Sequence, residues 1–329
     1  MKIYNRHTVD LGSVLGSRFT GILSPVYDDK TIRNYITSQF REHAESYAKA
    51  YTNIDYWNSL ITIAISCSGL NEKRDDNLMI LDIGSGAGNT ILPLITLFPN
   101  SDIIASDLSV DLLALLKEYI DKHLHFEHNK LLLFQLNAEE LDFKPSTFDI
   151  VVGGSILHHL LSPEKAISGV HDVLKPGGCA IFFEPFEAGN VILELAYSEI
   201  ISSFPGYSHS LPNETRAFLK AMIEDYRVRK GRDKSLEVYK QLDDKWLFTK
   251  SYFNELYERY NFSKMVIYPI HDTKQQFEYQ TITNLRLGLG KGINALPEGA
   301  WNIIRKYDRV FSEDLKQELI IEACVIFVK

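Results

Sequence analysis

Five apolar runs alternate with amphipathic stretches through the middle of the chain. The runs lie at 80–83, 102–106, 131–136, 148–152 and 179–183. Runs that are mostly apolar, without strict alternation, are typical of strands buried on both faces of a parallel sheet. Apolar residues recur at helical spacing in the stretches 88–98, 109–124 and 163–174 between them. This alternation predicts an α/β fold in which helices cover a parallel sheet.

The first apolar run ends in a glycine-rich loop. Glycine stands at every second position there, as Gly84, Gly86 and Gly88. Glycine accepts positive φ angles and leaves room for a ligand beside the backbone. In the dinucleotide-binding fingerprint the third glycine would fall at position 89, where this chain has Asn89. The loop is therefore a nucleotide-binding candidate whose spacing differs from the dinucleotide pattern.

The second apolar run ends in Asp107, about twenty residues after the glycines, where a carboxylate can bind the hydroxyls of a ribose. Five blocks follow one another in the chain: LDIGSGAG, ASDLS, LNAEEL, FDIVVGGSILHHL and VLKPGG. In this order the chain resembles class I S-adenosylmethionine-dependent methyltransferases over residues 77–186. The resemblance implies a Rossmann-like, seven-stranded methyltransferase sheet. It also implies S-adenosyl-L-methionine as cofactor and S-adenosyl-L-homocysteine as product.

The resemblance also implies a set of cofactor contacts. They are Asp82, Gly84, Ser85, Gly86, Gly88, Asp107, Leu108, Asn137, Ala138 and Gly153. Asp107 would accept from the ribose hydroxyls, and Asp82 would hold the ammonium group directly or through water. Leu108 would pack on the adenine, whose edge Asn137 and the Ala138 amide would address. The family often has Asp where this chain has Asn137, which exchanges a charged contact for a neutral one.

On this basis the chain divides into four parts. Residues 1–76 are predicted to form an N-terminal helical cap and residues 77–186 the cofactor-binding core. Residues 187–248 are predicted to be a lid that is helical throughout and covers the acceptor. Residues 249–329 complete the core, with a helix at 250–260 and strands at 262–270 and 320–328.

The charge and composition of the chain restrict the classes of partner that it can bind. A net charge of −8 over 329 residues argues against nucleic acid. The basic cluster Arg227, Arg229, Lys230, Arg232 and Lys234 is interpreted as a solvated helix end. Three scattered cysteines predict neither a disulfide framework nor a metal site. The chain shows no secretory signal and no apolar segment long enough to cross a membrane, so we expect a soluble, cytoplasmic protein with no membrane partner.

An oxygen or carbon acceptor needs a base to take its proton. The candidates are His158, His159, His209 and His271, and Glu184 ends the fifth strand close to the first two. Because the HHL turn occurs in methyltransferases with different acceptors, at least one of His158 and His159 is expected to be a packing residue.

The acceptor is expected to be a small hydrophobic or aromatic metabolite, with O-methylation favoured and a homodimer as an expected assembly. The fourth-strand block reads GGSI and lacks the Pro-Pro motif of amino-directed nucleic-acid methyltransferases. Aromatic residues in the insert would line an apolar pocket. Two alternatives remain open. One is a fold member that uses the same cofactor for cyclisation or decarboxylation. The other is a non-catalytic binding subunit, against which the intact loop and Asp107 argue.

Overall fold

The computed structural model of the chain describes residues 3–123, 130–204 and 211–329. Within these ranges the strands are β1 (Val9–Asp10), β2 (Ile22–Ser24), β3 (Met79–Ile83), β4 (Asp102–Asp107), β5 (Leu131–Gln135), β6 (Phe148–Gly154), β7 (Leu174–Pro185), β8 (Lys264–Pro269) and β9 (Glu322–Val328). They form one sheet in the order β1-β2-β5-β4-β3-β6-β7-β9-β8. The strands from β2 to β7 are parallel, and β9 runs antiparallel between β7 and β8.

This sheet confirms the predicted α/β, Rossmann-like class and extends it. The seven predicted strands are β3 to β9, but β1 and β2 add two more beside β5, so the described sheet has nine strands. Ile22 in β2 pairs with Leu133, and Val9 in β1 pairs with Ser24. The N-terminal region is therefore not purely helical. Strands of two and three residues are too short to show an alternating pattern, and the β5 partner of β2 is distant in sequence.

The helices of the described ranges are α1 (Gly12–Leu15), α2 (Asp29–Tyr35), α3 (Ala44–Tyr51), α4 (Ile54–Ser68), α5 (Ile91–Leu97), α6 (Val110–His123), α7 (Pro163–Val173), α8 (Glu187–Ser203), α9 (Asn213–Arg229), α10 (Lys250–Arg259), α11 (Gln276–Leu289), α12 (Glu298–Val310) and α13 (Glu313–Glu318). The helical pattern over 30–68 thus divides into three helices. Asn53 caps α4 by accepting from Tyr56 N at 3.2 Å. Such a cap satisfies a backbone donor that a new helix would otherwise leave unpaired.

Two hydrophobic layers cover the faces of the sheet. Leu81 packs with α7 and α10 on one face, while its neighbour Ile80 packs with α4, α5 and α6 on the other. Both side chains are fully buried. Burying one such side chain stabilises the fold by roughly 1.5–3 kcal/mol. Because both faces are covered, ligands can approach only at the ends of the strands.

A third layer is built from two separate stretches of the chain. Helices α8 and α9 follow β7, and they pack against α11 and α12, which lie between β8 and β9. The hydroxyl of Tyr197 in α8 donates to Thr281 in α11 at 3.2 Å. The predicted lid segment 187–248 therefore shares a core with part of segment 249–329.

The prediction that 187–248 is helical throughout is wrong beyond Arg229. Helix α9 ends at Arg229, and Gly231 then takes a positive φ of 77°. Beyond a 3-10 turn at Glu237–Gln241, the chain runs without a helix up to α10. None of the helices in the described ranges combines the length and the apolar character that crossing a bilayer requires.

Candidate active site

A cavity of about 850 Å³ lies at the carboxyl ends of the parallel strands. This is the edge at which open α/β sheets bind ligands. The loop after β3 and the ends of β4, β6 and β7 form its floor, and α3 and α4 cover one side. Helices α9 and α11 cover the other side. The wall contributed by α11, through Gln280, Asn284 and Leu287, lies outside the segment that the sequence assigned to the lid.

The three glycines of the loop have different tasks. Gly84, Gly86 and Gly88 have positive φ values of 68°, 51° and 113°. A β-carbon on Gly84 would lie 2.7 Å from Ile156 Cδ1, and one on Gly88 would lie 2.8 Å from Leu116 Cδ1. A β-carbon on Gly86 would meet no heavy atom within 4 Å. Gly86 is therefore the position where a ligand can lie against the main chain, whereas Gly88, which does not line the cavity, lets the loop pack on α6.

Hydrogen bonds tie the loop to its surroundings. Ser85 N donates to Ser106 O in β4 at 2.8 Å. Asn89 occupies the position where the dinucleotide fingerprint has glycine. Its Oδ1 accepts from Asn53 N at 2.9 Å, and its Nδ2 donates to Tyr51 O at 3.1 Å. The side chain at position 89 thus fixes the junction of α3 and α4 against the loop, which a glycine could not do.

Asp107 lines the cavity at the end of β4. Its carboxylate accepts from Gly86 N at 2.9 Å and from Ser109 N at 2.8 Å. Burial raises the pKa of Asp107 to about 6, although the backbone hydrogen bonds oppose this shift. Each carboxylate oxygen has more than one acceptor site. Asp107 can therefore still accept from ribose hydroxyls, and it does so best above about pH 6.

Asp82 is fully buried at the end of β3. Thr90 Oγ1 donates to its Oδ2 at 2.7 Å, whereas Oδ1 has no hydrogen-bond partner among the described residues. Burial raises the pKa of Asp82 to about 7. Such an unpaired buried oxygen costs free energy until a donor reaches it. Because Thr90 lines the cavity and Asp82 does not, a donor would reach Asp82 past Thr90.

The remaining predicted cofactor contacts do not line the cavity. These are Leu108, Asn137, Ala138 and Gly153. The Asn137 amide donates to the Tyr27 hydroxyl at 3.1 Å, so the segment before α2 covers this side of the site. A β-carbon on Gly153 would lie 2.8 Å from Ile156 Cγ2 and from Phe182 Cδ1, so this glycine permits close packing beside β6. The adenine contacts stay predictions.

His158 lies in a 3-10 turn after β6, with its ring between two carboxylates. Its Nδ1 is 2.6 Å from Glu184 Oε2, and its Nε2 is 3.5 Å from Asp244 Oδ1. Glu184 is buried at the end of β7 and also accepts from the backbone amides of Ile156, Leu157 and His158 at 2.8 to 3.2 Å. These bonds fix the carboxylate, so Nδ1–H donates to Glu184 and Nε2 is the nitrogen left for other partners.

Sequence reasoning missed Asp244 and Arg229. Asp244 Oδ1 lies 3.2 Å from His159 Nδ1, and its Oδ2 lies 3.2 Å from Arg229 Nη1. Arg229 is buried and also bonds Asp225 at 3.0 Å and the Trp246 carbonyl at 3.2 Å. The interpretation of the basic cluster as a solvated helix end is therefore wrong for Arg229. Residues 242–248 form the extended segment that carries Asp244, and no periodicity in the sequence marks it.

The cluster has a defined charge state near neutral pH. Burial lowers the pKa of His158, but Glu184 and Asp244 outweigh it, and the pKa is raised to about 9. Burial and the adjacent His158 lower the pKa of His159. Burial would raise the pKa of Asp244, but Arg229 and His158 hold it well below its usual range. The imidazolium of His158 and the guanidinium of Arg229 offset these carboxylates, so the side chains form a hydrogen-bonded acid–base cluster.

Of the other predicted bases, His159 and His271 also border the cavity. His159 lines the cavity, but its Nδ1 also lies 3.0 Å from the Asp243 carbonyl. His271 lines the cavity further along, with its Nε2 3.2 Å from Glu322 Oε2. His209 lies outside the described residues. The structure thus brings His158, His159 and His271 to one cavity, and a buried carboxylate fixes the ring of His158.

Comparison with known proteins identifies the central domain. Residues 81–180 match the family model described as a methyltransferase domain. The chain therefore contains a methyltransferase domain of the class I, S-adenosylmethionine-dependent type, and the resemblance drawn from the motif order is confirmed for this part of the chain. The match covers less than half of the chain.

Among curated relatives, the chain is 21% identical to the mitochondrial 2-methoxy-6-polyprenyl-1,4-benzoquinol methylase of Caenorhabditis elegans, over 50% of this chain and 58% of that protein. It is 26% identical to a ubiquinone/menaquinone biosynthesis C-methyltransferase of Pasteurella multocida, over 49% of this chain and 63% of that protein. It is 29% identical to probable polyketide synthase 14 of Dictyostelium discoideum, over 50% of this chain and 6% of that protein. The chain thus spans less than two thirds of each of these relatives.

A solved structure extends the likeness to the whole fold. Phosphoethanolamine N-methyltransferase 2 of Haemonchus contortus, in complex with phosphomonomethylethanolamine and S-adenosylhomocysteine, superposes with a TM-score of 0.52. The alignment covers 99% of this chain and 68% of that chain at 14% identity. At this identity the likeness supports the fold alone.

Proposed function

We propose that the protein is an S-adenosylmethionine-dependent methyltransferase that methylates a hydroxyl oxygen of a small, largely apolar acceptor such as a phenol or an enol. One observation carries this proposal. The ligand-accessible loop at Gly86 with Asp107 and the ring of His158 with Glu184 border the same cavity. The residues that fit a cofactor and a side chain that can accept a proton therefore border one cavity.

The residues present fit the cofactor. Asp107 offers acceptor sites for a diol, and Gly86 leaves the main chain open to a ligand. The unpaired Asp82 Oδ1 lacks a donor, which an ammonium group could supply directly or through water. When bound, the cofactor supplies an electrophilic methyl group on a cationic sulfur. The chain then has to position the acceptor, exclude water and remove one proton.

His158 is the residue best placed to remove that proton. Glu184 fixes the ring and its tautomer, so Nε2 would accept the proton of the acceptor hydroxyl. Glu184 would stabilise the imidazolium that forms on His158. Since its pKa is about 9 before an acceptor binds, His158 must lose its proton first.

The walls above His158 favour a small amphipathic acceptor. The apolar surface comes from Phe218 and Met222 of α9 and from Leu287 of α11. Asn284 of α11 adds a polar side chain. Asn284 donates to the hydroxyl of Tyr226 at 3.0 Å. A pocket with apolar walls and few polar groups orients a small molecule. A small-molecule acceptor is thus the proposed partner, while the homodimer and the cytoplasmic location stay predictions.

The test combines binding with turnover. We expect S-adenosylhomocysteine to bind with a Kd in the micromolar range, about −8 kcal/mol by calorimetry. A panel of phenols and enols should then yield a product that gains one methyl group. His158→Ala should lower kcat by about 10²-fold or more and leave the Kd of S-adenosylhomocysteine nearly unchanged.

The controls separate the alternatives. His7→Ala, a surface change away from the cavity, should leave both constants unchanged. Cofactor binding without methylated product, but with a rearranged or decarboxylated substrate, would favour the alternative chemistry. Unchanged turnover in His158→Ala would assign the proton transfer to His271 or to an acceptor that needs no base.

A further inference from the structure

Asp244 occupies the place that an acceptor would need. His158 Nδ1 is taken by Glu184, and the remaining nitrogen, Nε2, lies 3.5 Å from Asp244 Oδ1. An acceptor hydroxyl must come within hydrogen-bonding distance of Nε2 before its proton can move. The acceptor and the Asp244 carboxylate therefore compete for one nitrogen.

The surroundings of Asp244 provide an alternative resting place for its carboxylate. His159 Nδ1 lies 3.2 Å from Oδ1, and Arg229 Nη1 lies 3.2 Å from Oδ2. Arg229 is itself fixed by Asp225 and by the Trp246 carbonyl. If Asp244 left Nε2, it would keep both of these partners and would not become an unpaired charge.

The backbone around Asp244 is fixed to the turn that carries His158. Lys245 N donates to the His158 carbonyl at 2.7 Å, and Trp246 Nε1 donates to the Leu160 carbonyl at 2.8 Å. The exchange therefore involves only the side chain of Asp244, which is 38% exposed. Displacement of the whole segment is not required.

We propose that Asp244 is a positioning residue that clamps His158 Nε2 in the empty enzyme and yields this nitrogen to the acceptor, while Arg229 and His159 retain the displaced carboxylate. This inference rests on the proposed function. Residues 242–248 would then control the base, whereas the sequence predicted for them only a role as part of the lid.

The proposal predicts that substitutions of Asp244 and of Arg229 shift the pKa of His158 in opposite directions. The charged and titratable groups that face His158 are Glu184 of β7, His159 of its own turn, Asp225 and Arg229 of α9, Asp244 of the extended segment and Glu322 of β9. Replacing Asp244 removes a negative charge beside Nε2. Replacing Arg229 removes the competing partner of Asp244 together with a positive charge.

The experiment is an NMR titration of histidine-labelled protein, with the His158 signal assigned by its absence in His158→Gln. Asp244→Asn should lower the pKa of His158 by about 1 to 3 units, the usual effect of losing an adjacent opposite charge. Arg229→Gln should raise it, and Arg229→Lys should lie close to the wild type. Asp243→Asn, which changes the neighbouring carboxylate that bonds Thr37, is the matched control and should leave it unchanged.

A kinetic readout completes the test. The acid limb of the kcat/KM profile should move to lower pH in Asp244→Asn and to higher pH in Arg229→Gln, whereas a structural role would lower activity at every pH without moving the limb. An unmoved His158 titration in Asp244→Asn overturns the proposal. A lowered pKa in Arg229→Gln overturns it independently, so one variant that fails to fold leaves the other decisive.

The result does not depend on turnover. The titration needs neither cofactor nor acceptor, so a failure of the protein to bind S-adenosylhomocysteine would contradict the proposed function and leave the clamp measurable. A titration that changes on addition of EDTA would show that a metal ion binds at His158, His159 and Asp244, and this would overturn the clamp.

Discussion

Asp107 and Asp82 end neighbouring strands, yet their carboxylates have different surroundings. Asp107 has backbone donors and faces the cavity, whereas Asp82 is sealed below the loop with one oxygen unpaired. We therefore expect Asp107→Ala to weaken binding of S-adenosylhomocysteine by about 1.5–3 kcal/mol in calorimetry, because a charged acceptor is lost. Asp102→Ala, at the opposite end of the same strand, is the control and should not weaken it.

The raised pKa of Asp107 predicts a pH dependence of binding. Because this pKa is about 6, the carboxylate is ionised above that value and protonated below it. Affinity for S-adenosylhomocysteine should thus be nearly constant in the alkaline range and fall as the pH drops through about 6. Calorimetry across this range checks it, and an affinity that is flat through pH 6 contradicts a contact between Asp107 and the ligand.

Ionised Asp82 should lower the free energy of unfolding of the ligand-free protein. Its folded pKa of about 7 exceeds the ordinary value of 3.8, so the folded state holds the proton more tightly than the unfolded chain. The stability from this site is complete at low pH and is lost as the pH rises through about 7. Asp82→Asn, which cannot ionise, should gain stability over the wild type by on the order of 1–2 kcal/mol more at about pH 8.5 than at about pH 5.5.

Urea unfolding of the two ligand-free proteins at both pH values measures this gain. An equal difference at both values would show that Asp82 is already ionised in the fold at about pH 5.5, which contradicts a raised pKa. The same variant should bind S-adenosylhomocysteine more weakly, because the acceptor for the ammonium group has lost its charge. Stability and cofactor affinity would then change in opposite directions at one residue.

Which residues the sequence could identify follows from their position in the chain. Asp107 and Gly86 directly follow apolar runs, and the ends of parallel strands meet at one edge of the sheet, so their proximity was predictable. Asp244 and Arg229 reach the cavity only through the packing of α9 and of an extended segment without periodicity. Their contacts depend on tertiary structure that no local pattern encodes.

At the scale of elements, the loop between β3 and α5 offers a matched pair of glycines. Gly86 and Gly177 both have positive φ angles, and a β-carbon on either would meet no atom within 4 Å. Gly86 lines the cavity and Gly177 does not. Valine at either position should cost similar stability through backbone strain, but only Gly86→Val should abolish binding of S-adenosylhomocysteine.

Thermal unfolding and calorimetry on both variants separate strain from obstruction. If folded Gly86→Val binds as tightly as Gly177→Val, the loop is only a structural turn. The long apolar strands of this core were predictable because both of their faces are buried. By contrast, β2 contributes only Ile22 and Leu23 to its pairing with β5, and so few residues carry no recognisable pattern.

At the scale of the whole molecule, the cavity is closed by elements from distant parts of the chain. Helices α3 and α4 cover one side, and α9 and α11 the other. Elements that close over a ligand belong to the less stable part of a fold. S-adenosylhomocysteine should therefore slow hydrogen exchange in these four helices, while α7 and α10, which pack on a face of the sheet, should exchange at the same rate.

Mass-spectrometric hydrogen exchange with and without ligand gives the result directly. A pattern that does not respond to the ligand in α9 and α11 would make them a fixed wall of the pocket.

The helices that border the proposed acceptor site, α8, α9 and α11, form one packing unit with α12. Because α8 and α9 share one core with α11 and α12, and β8 separates the two pairs in the chain, selectivity is not contained in one transferable cassette. A chimaera that imports only residues 187–248 would join foreign helices to native ones. The new interface between foreign and native helices would include the ion pair of Glu199 with Lys306 and the hydrogen bond of Tyr197 with Thr281. Grafting a new specificity onto this scaffold therefore requires both stretches to be exchanged together.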